Sequence, residues 1–254
     1  MKVEPREPIG AVLTGVSLAD PAAFDIERMK ALLAEHGVLV MRNQEAGDDE
    51  FVRFLRRFDD LTFTTGETPV PGFDDLNVVS NVGRTTPPRS TFHTDTSYVA
   101  RPPAYTALRA VTVPSHGGDT LFTNQYRALD TLPVALRRRV TGRSITHVVT
   151  GLDLDDSVES SADHPIERPH PITGRPALFI SAVSRCAAIT GIEAEEARTI
   201  VQALFDHSIH DDNVMRHSWR AGDVVIWDNA CVLHRADHSA VSGDRVMHRG
   251  MVAG

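Results

Sequence analysis

Gly222-Asp223-Val224-Val225-Ile226-Trp227-Asp228-Asn229 reads as a buried β-strand held between two turns, a short apolar run rich in β-branched residues with Gly-Asp before it and Asp-Asn after it. His234 follows shortly afterwards, and Ser242-Gly243-Asp244 supplies a turn that reverses the chain. Arg245-Val246-Met247-His248-Arg249-Gly250-Met251-Val252 again has strand composition. Successive strand residues alternate between faces, so Arg245, Met247 and Arg249 share one. Working back along the chain, Thr91-Phe92-His93-Thr94-Asp95-Thr96-Ser97 reads as a further strand. Residues i and i+2 point the same way there, which aims the His93 imidazole and the Asp95 carboxylate at one point.

Two histidines and one carboxylate, His93, Asp95 and His234, would occupy one side of an octahedral ion. Three positions then stay open, which is the arrangement of non-haem Fe(II) oxygenases. A 2-oxo acid can take two of those positions and dioxygen the third, with Arg245 and Arg249 as cationic anchors for a dicarboxylate that shares the metal. A bare His-x-Asp is a weak signal in a chain with 12 histidines, and His210-Asp211-Asp212 fits it too. That copy follows an amphipathic helix and lacks strand flanks. The same three ligands also suit a zinc-dependent hydrolase or a noncatalytic metal-binding barrel, although the chain has no His-Glu-x-x-His helix.

The rest of the sequence is organised as short β-rich runs with helices between them. Asp25 to His36 carries Ile26, Met29, Leu32 and Leu33 at helical spacing and stops at Gly37. Further helices are expected over Asp48 to Phe58 and Ala194 to His207. Strands are expected at Ala11 to Leu13, Val38 to Met41, Leu76 to Val82, Tyr105 to Val113 and Ala177 to Ser181. This pattern predicts a mainly β protein with flanking helices, a double-stranded β-helix or jelly roll. At 254 residues and 41% hydrophobic content, a single domain over 1–254 can bury a substantial core. The polar, acidic stretch 151–164 reads as a loop and a candidate lid over the site.

A formal charge of −8 argues against nucleic acid and acidic membrane surfaces as partners, and Arg137-Arg138-Arg139 is the only compact basic run. No window is long and apolar enough to span a bilayer. Cys186 and Cys231 make no disulfide framework, and Met1 to Pro5 lacks the apolar stretch of a signal peptide, so a cytoplasmic protein acting on a small molecule is expected. A homo-oligomer is left open.

Five segments, His93-Thr94-Asp95-Thr96-Ser97-Tyr98, Gly117-Gly118-Asp119-Thr120-Leu121-Phe122, His170-Pro171-Ile172-Thr173-Gly174-Arg175, Trp227-Asp228-Asn229 through His234, and Met247-His248-Arg249, resemble the taurine dioxygenase (TauD/TfdA) family. They occur in family order and span most of the chain. The resemblance implies an Fe(II)- and 2-oxoglutarate-dependent dioxygenase with a jelly-roll fold, which oxidises its substrate while releasing succinate and carbon dioxide. It implies His93, Asp95 and His234 as iron ligands. Thr120 and Arg245 would hold the distal carboxylate of 2-oxoglutarate, a planar guanidinium being matched to a carboxylate. Arg249 would steady the inner carboxylate or an anionic group of the substrate. Asp95 stands where related halogenases have no carboxylate, which argues for oxygen insertion. Taurine dioxygenases carry a sulfonate-binding histidine after the second helix. The counterpart here, Asp59-Asp60-Leu61-Thr62-Phe63-Thr64-Thr65, has none, which disfavours taurine. Arg89 with Arg249 suits a carboxylate-bearing substrate, with Phe63, Phe92, Tyr98 and Phe122 as its apolar wall.

Overall fold

The computed structural model describes residues 1–64, 66–84, 90–151, 154–155 and 158–254. Nine of the described strands form one sheet. Its path runs Lys2–Pro5, Ala11–Thr14, Val38–Met41, Val224–Asp228, Tyr105–Thr112, Val246–Val252, Phe73–Ser80 and Pro69–Val70, and Leu61–Thr62 pairs off this path with Val246–Val252. A smaller sheet faces it, with Thr120–Asn124 central between Val214–His217 and Val232–Ala236. Two facing, mostly antiparallel sheets with helices outside make the jelly roll that the pattern of short strands predicts.

Alternation along the strands builds the layers. Val225 and Trp227 point inward and pack with Val38, Val40, Leu108 and Met247, and with Phe122 and Val232 of the opposite sheet. Val224 and Ile226 point outward with Leu39, Ala107 and Val252, onto Met29 and Leu33 of helix Ile26–His36 and Phe51, Phe54 and Leu55 of helix Asp48–Leu55. The outer face of the small sheet, through Leu121 and Leu233, packs on Val201 and Leu204 of helix Ala194–Ser208 and on Ile145 and Ile189. Both faces of Val224–Asp228 are therefore covered, and this is why it reads as an unbroken apolar run.

Several boundaries differ from the sequence expectation. The second helix ends at Leu55 rather than Phe58, because Arg57 and Phe58 donate three residues back, to Phe54 and Leu55, in a closing turn. The strand expected over Leu76 to Val82 is Phe73–Ser80, and the one expected over Ala177 to Ser181 is only Pro176–Leu178. Beyond it, Phe179 N–H bonds Ile166 O, and Ile180 O accepts from Thr94 Oγ1. In the candidate lid, Ser161–Pro165 is a strand paired with Ser144–Val148. Leu152, Asp153, Asp156 and Ser157 lie outside the described residues.

Candidate active site

Three side chains converge in the inter-sheet space. His234 sits on Val232–Ala236, its ring between Trp227 (centroids 4.5 Å) and Phe122 (6.4 Å). The expectation of a strand through His93 and Asp95 is corrected here. His93 makes only an isolated bridge, exchanging both backbone hydrogen bonds with His234 at 3.0 Å, and the chain then turns through Asp95 and Thr96, whose φ is 46°. The two side chains thus meet through this long-range bridge and a left-handed turn, and not through strand alternation. Thr94 holds the turn from behind, its Oγ1 donating to Ile180 O (2.9 Å) and its N–H to Ser181 Oγ (3.3 Å).

Asp95 Oδ1 lies 3.5 Å from His93 Nε2, and Oδ2 lies 3.6 Å from His234 Nε2. Neighbouring ligands of an octahedral ion bound at about 2.1 Å are roughly 3 Å apart, so a small contraction completes a metal site. Supporting contacts orient the ligands. His93 Nδ1–H donates to Thr91 O (2.9 Å), leaving the Nε2 lone pair toward Asp95. Asn229 Nδ2 donates to Thr106 Oγ1 (2.9 Å), which donates to Asp95 Oδ2 (2.8 Å). Burial pushes the Asp95 carboxyl up, but His234, His93 and Arg249 together outweigh it and hold it well below the usual carboxylate range. Burial takes His234 down to about 3 against the pull of Asp95, so its imidazole is neutral, as a metal ligand must be.

A second polar cluster lies along the same face. Arg245, 1% exposed, donates from Nε to Gly118 O (2.8 Å) and from Nη2 to Thr120 Oγ1 (3.4 Å), and Trp219 Nε1 donates to the same hydroxyl (3.0 Å). Arg245 Nη1 has no partner, and no carboxylate pairs with this guanidinium among the described residues. Burial pulls its pKa down, with Asp119 opposing. A buried cation without a counterion fits an anionic guest, and a hydroxyl beside the guanidinium suits a carboxylate. Arg249 reaches the metal side, with Nη1 3.9 Å from Asp95 Oδ1 and Nη2 3.2 Å from Glu67 Oε1. The donor set accordingly fits a divalent metal chelated by a dicarboxylate that ends on Arg245 and Thr120.

The expected substrate wall is only partly assembled. Phe63 and Tyr98 line a cavity of about 230 Å³ with Thr64, Thr96 and Arg101. Phe92 instead packs in the cluster outside the small sheet, with Arg235 over its ring, and Phe122 backs the His234 ring. Arg89 lies outside the described residues. A larger cavity of about 580 Å³, near Arg168 and Phe179, is lined by none of the three ligands. The His210-Asp211-Asp212 copy is an exposed pair, His210 Nδ1 to Asp212 Oδ1 at 2.9 Å. His170 donates to Asp228 Oδ2 (2.9 Å), and its Nδ1 accepts from Ile172 N–H, which fixes the turn after Trp227. Sequence reading missed Thr106, Asn229, Trp219 and Glu67. Asn229 lies inside the Trp227-Asp228-Asn229 motif, whereas Thr106, Trp219 and Glu67 carry no local signal.

Two histidines and a carboxylate gathered inside a jelly roll, with a buried guanidinium nearby, fit the class of metal-dependent oxygenases. The Taurine catabolism dioxygenase TauD, TfdA family matches residues 2–251, and the chain belongs to that family. It is 29% identical to the (S)-phenoxypropionate/alpha-ketoglutarate-dioxygenase of Delftia acidovorans, over 97% of this chain and 92% of that one. It is 30% identical to the alpha-ketoglutarate-dependent 2,4-dichlorophenoxyacetate dioxygenase of Cupriavidus pinatubonensis, over 89% and 87% of the two chains. The crystal structure of a taurine dioxygenase from Burkholderia xenovorans superposes with a TM-score of 0.86 at 30% identity, covering 100% of this chain and 90% of that one. The protein is therefore an Fe(II)- and 2-oxoglutarate-dependent dioxygenase that uses dioxygen. This membership removes the zinc hydrolase and the noncatalytic barrel. No helix of the described residues is long and apolar enough to cross a membrane.

Proposed function

We propose that the enzyme hydroxylates a small carboxylate-bearing metabolite, with His93, Asp95 and His234 holding iron, and Thr120 and Arg245 holding the distal carboxylate of 2-oxoglutarate. When bound, iron and cosubstrate supply the oxidation, in which 2-oxoglutarate and dioxygen become succinate and carbon dioxide and one oxygen atom enters a C–H bond of the substrate. The protein's own residues place and shield the reactants. Arg245 and Thr120 fix one end of the cosubstrate, Trp227 and Phe122 keep water from the His234 side, and Tyr98 and Phe63 offer an apolar surface.

One observation carries the choice of an acid. Arg185 ends the turn Val183–Arg185, directly after the Ile180-Ser181 anchor of Thr94, and its charge acts on His234 and Tyr98. It donates only to Thr150 Oγ1 (3.4 Å), and no carboxylate pairs with it among the described residues. A half-buried guanidinium left free beside the substrate side of the metal suits a carboxylate. Two relatives bear names of carboxylic acids, phenoxypropionate and dichlorophenoxyacetate. The buried free thiols of Cys186 and Cys231 suit a reducing compartment, and the cytoplasm is the proposed location. The test is succinate release with a panel of carboxylic acids, alcohols and amines. Acids should dominate, and Arg185→Gln should raise KM for the best acid about tenfold with 2-oxoglutarate affinity unchanged. Preference for uncharged compounds, or an unaltered KM in the variant, contradicts the reading.

A further inference from the structure

Asn77 is 0% exposed, and neither its Nδ2 nor its Oδ1 has a hydrogen-bond partner among the described residues. It lies on Phe73–Ser80, directly opposite Arg249 in the antiparallel ladder with Val246–Val252. Facing residues of such a pair share one side of the sheet. That side is the interior: the neighbours Leu76 and Val78 pack toward the helices, whereas Val79, two positions on from Asn77, packs in the inter-sheet core beside Met247. Asn77 therefore shares the interior face with Arg249, whose guanidinium stands 3.9 Å from Asp95.

The unpaired atoms are complementary. Arg249 Nε–H is a buried donor without an acceptor, and Asn77 Oδ1 is a buried acceptor without a donor. Once Oδ1 accepts from Nε, the amide is oriented and its Nδ2 hydrogens stay free, aimed at whatever Arg249 holds. A buried amide with no partner costs stability and is retained where a ligand completes it. An acceptor-only carboxylate is the complement of an NH₂ group beside a guanidinium. A hydrocarbon side chain would suit the surrounding Val79, Leu108 and Met247 better.

We propose that Asn77 is a cosubstrate-binding residue, its Nδ2 donating to the metal-side carboxylate of 2-oxoglutarate while its Oδ1 orients Arg249. This rests on the proposed placement of the distal carboxylate of 2-oxoglutarate on Arg245 and Thr120, which leaves its other carboxylate on the metal side beside Arg249, and the experiment separates the two claims. Fe(II)-loaded Asn77→Leu, Asn77→Val, Arg245→Met and unaltered protein are titrated anaerobically with 2-oxoglutarate, and the metal affinity and melting temperature of each are measured alongside. Both Asn77 variants should bind 2-oxoglutarate about ten- to a hundredfold more weakly. Fe(II) affinity should stay unchanged, and the ligand-free melting temperature should hold or rise, since an unpaired amide has been removed. A purely structural asparagine would show the reverse, a lower melting temperature with cosubstrate affinity intact, and that result overturns the proposal. If Arg245→Met also binds 2-oxoglutarate as tightly as the unaltered protein, the underlying placement of the cosubstrate fails. If Arg245→Met loses binding and the Asn77 variants keep it, only the role of Asn77 fails.

Discussion

A guanidinium that is 1% exposed and paired with no carboxylate among the described residues carries a desolvation cost that folding alone does not recover. Arg245 is such a group, and its free Nη1 together with the Thr120 hydroxyl suits a carboxylate. Replacement by methionine removes the charge at similar length. Arg245→Met is expected to leave the ligand-free protein as stable as before or more so, while weakening 2-oxoglutarate by about a hundredfold or more. Calorimetry of binding and a thermal melt check the two halves, and a lower melting temperature with intact binding would assign Arg245 a structural role instead. At the same scale, Asp95 shows why ligand identity alone understates a site. Its carboxylate is aimed by Thr106, which is aimed by Asn229, and neither partner is a ligand.

Among elements, legibility tracked how local the cause is. Val224–Asp228 was readable because both its faces are covered, and helix Ile26–His36 because Asp25 caps it through Arg28 N–H and Gly37 ends it. The segment around His93 has the composition of a strand, yet its shape comes from a bridge to His234 far along the chain and from a turn with Thr96 at positive φ. No pattern of nearby residues encodes that. Asn77 was invisible for a related reason, since alternation in Phe73–Ser80 places a polar side chain on the interior face, where pattern reading expects apolar ones. Phe92 and Phe122 flank the site motifs in sequence and are expected in the substrate wall, but the structure turns one outward and sets the other behind His234. The loop before Thr120 yields a prediction at this scale. Gly118 has φ 76°, and a Cβ there would lie 2.9 Å from Pro114 Cγ and 3.0 Å from Arg245 Cδ. Gly118→Ala is expected to displace Arg245 and weaken 2-oxoglutarate by about tenfold while Fe(II) affinity holds, as a pair of metal and cosubstrate titrations would show.

The molecule as a whole couples its flanking layer to the site. His147, on Ser144–Val148, is fully buried against His164 and Phe179 with neither ring nitrogen partnered among the described residues, and His164 Nε2 donates to Ser97 O in the turn that carries Asp95. Burial, reinforced by His164, Arg168 and Arg185, lowers His147 from 6.5 to about 3. Above pH 6.5 both folded and unfolded chains hold it neutral, and it has no effect on stability. Between 6.5 and about 3 the unfolded chain binds a proton that the folded chain refuses, so stability falls as pH falls, by up to ~1.4 kcal/mol per unit. His147→Leu should flatten the melting temperature of the metal-free protein against pH in that window, and an unchanged slope would contradict the assignment. The claim that joins all scales is that two sheets and one long-range bridge assemble an iron site open to 2-oxoglutarate. Anaerobic visible titration of the metal-free protein with Fe(II) and then 2-oxoglutarate tests it most directly. A metal-to-ligand charge-transfer band should appear only when both are present, and it should be absent in His234→Ala. Iron binding without that band, or a band that survives in His234→Ala, would contradict it.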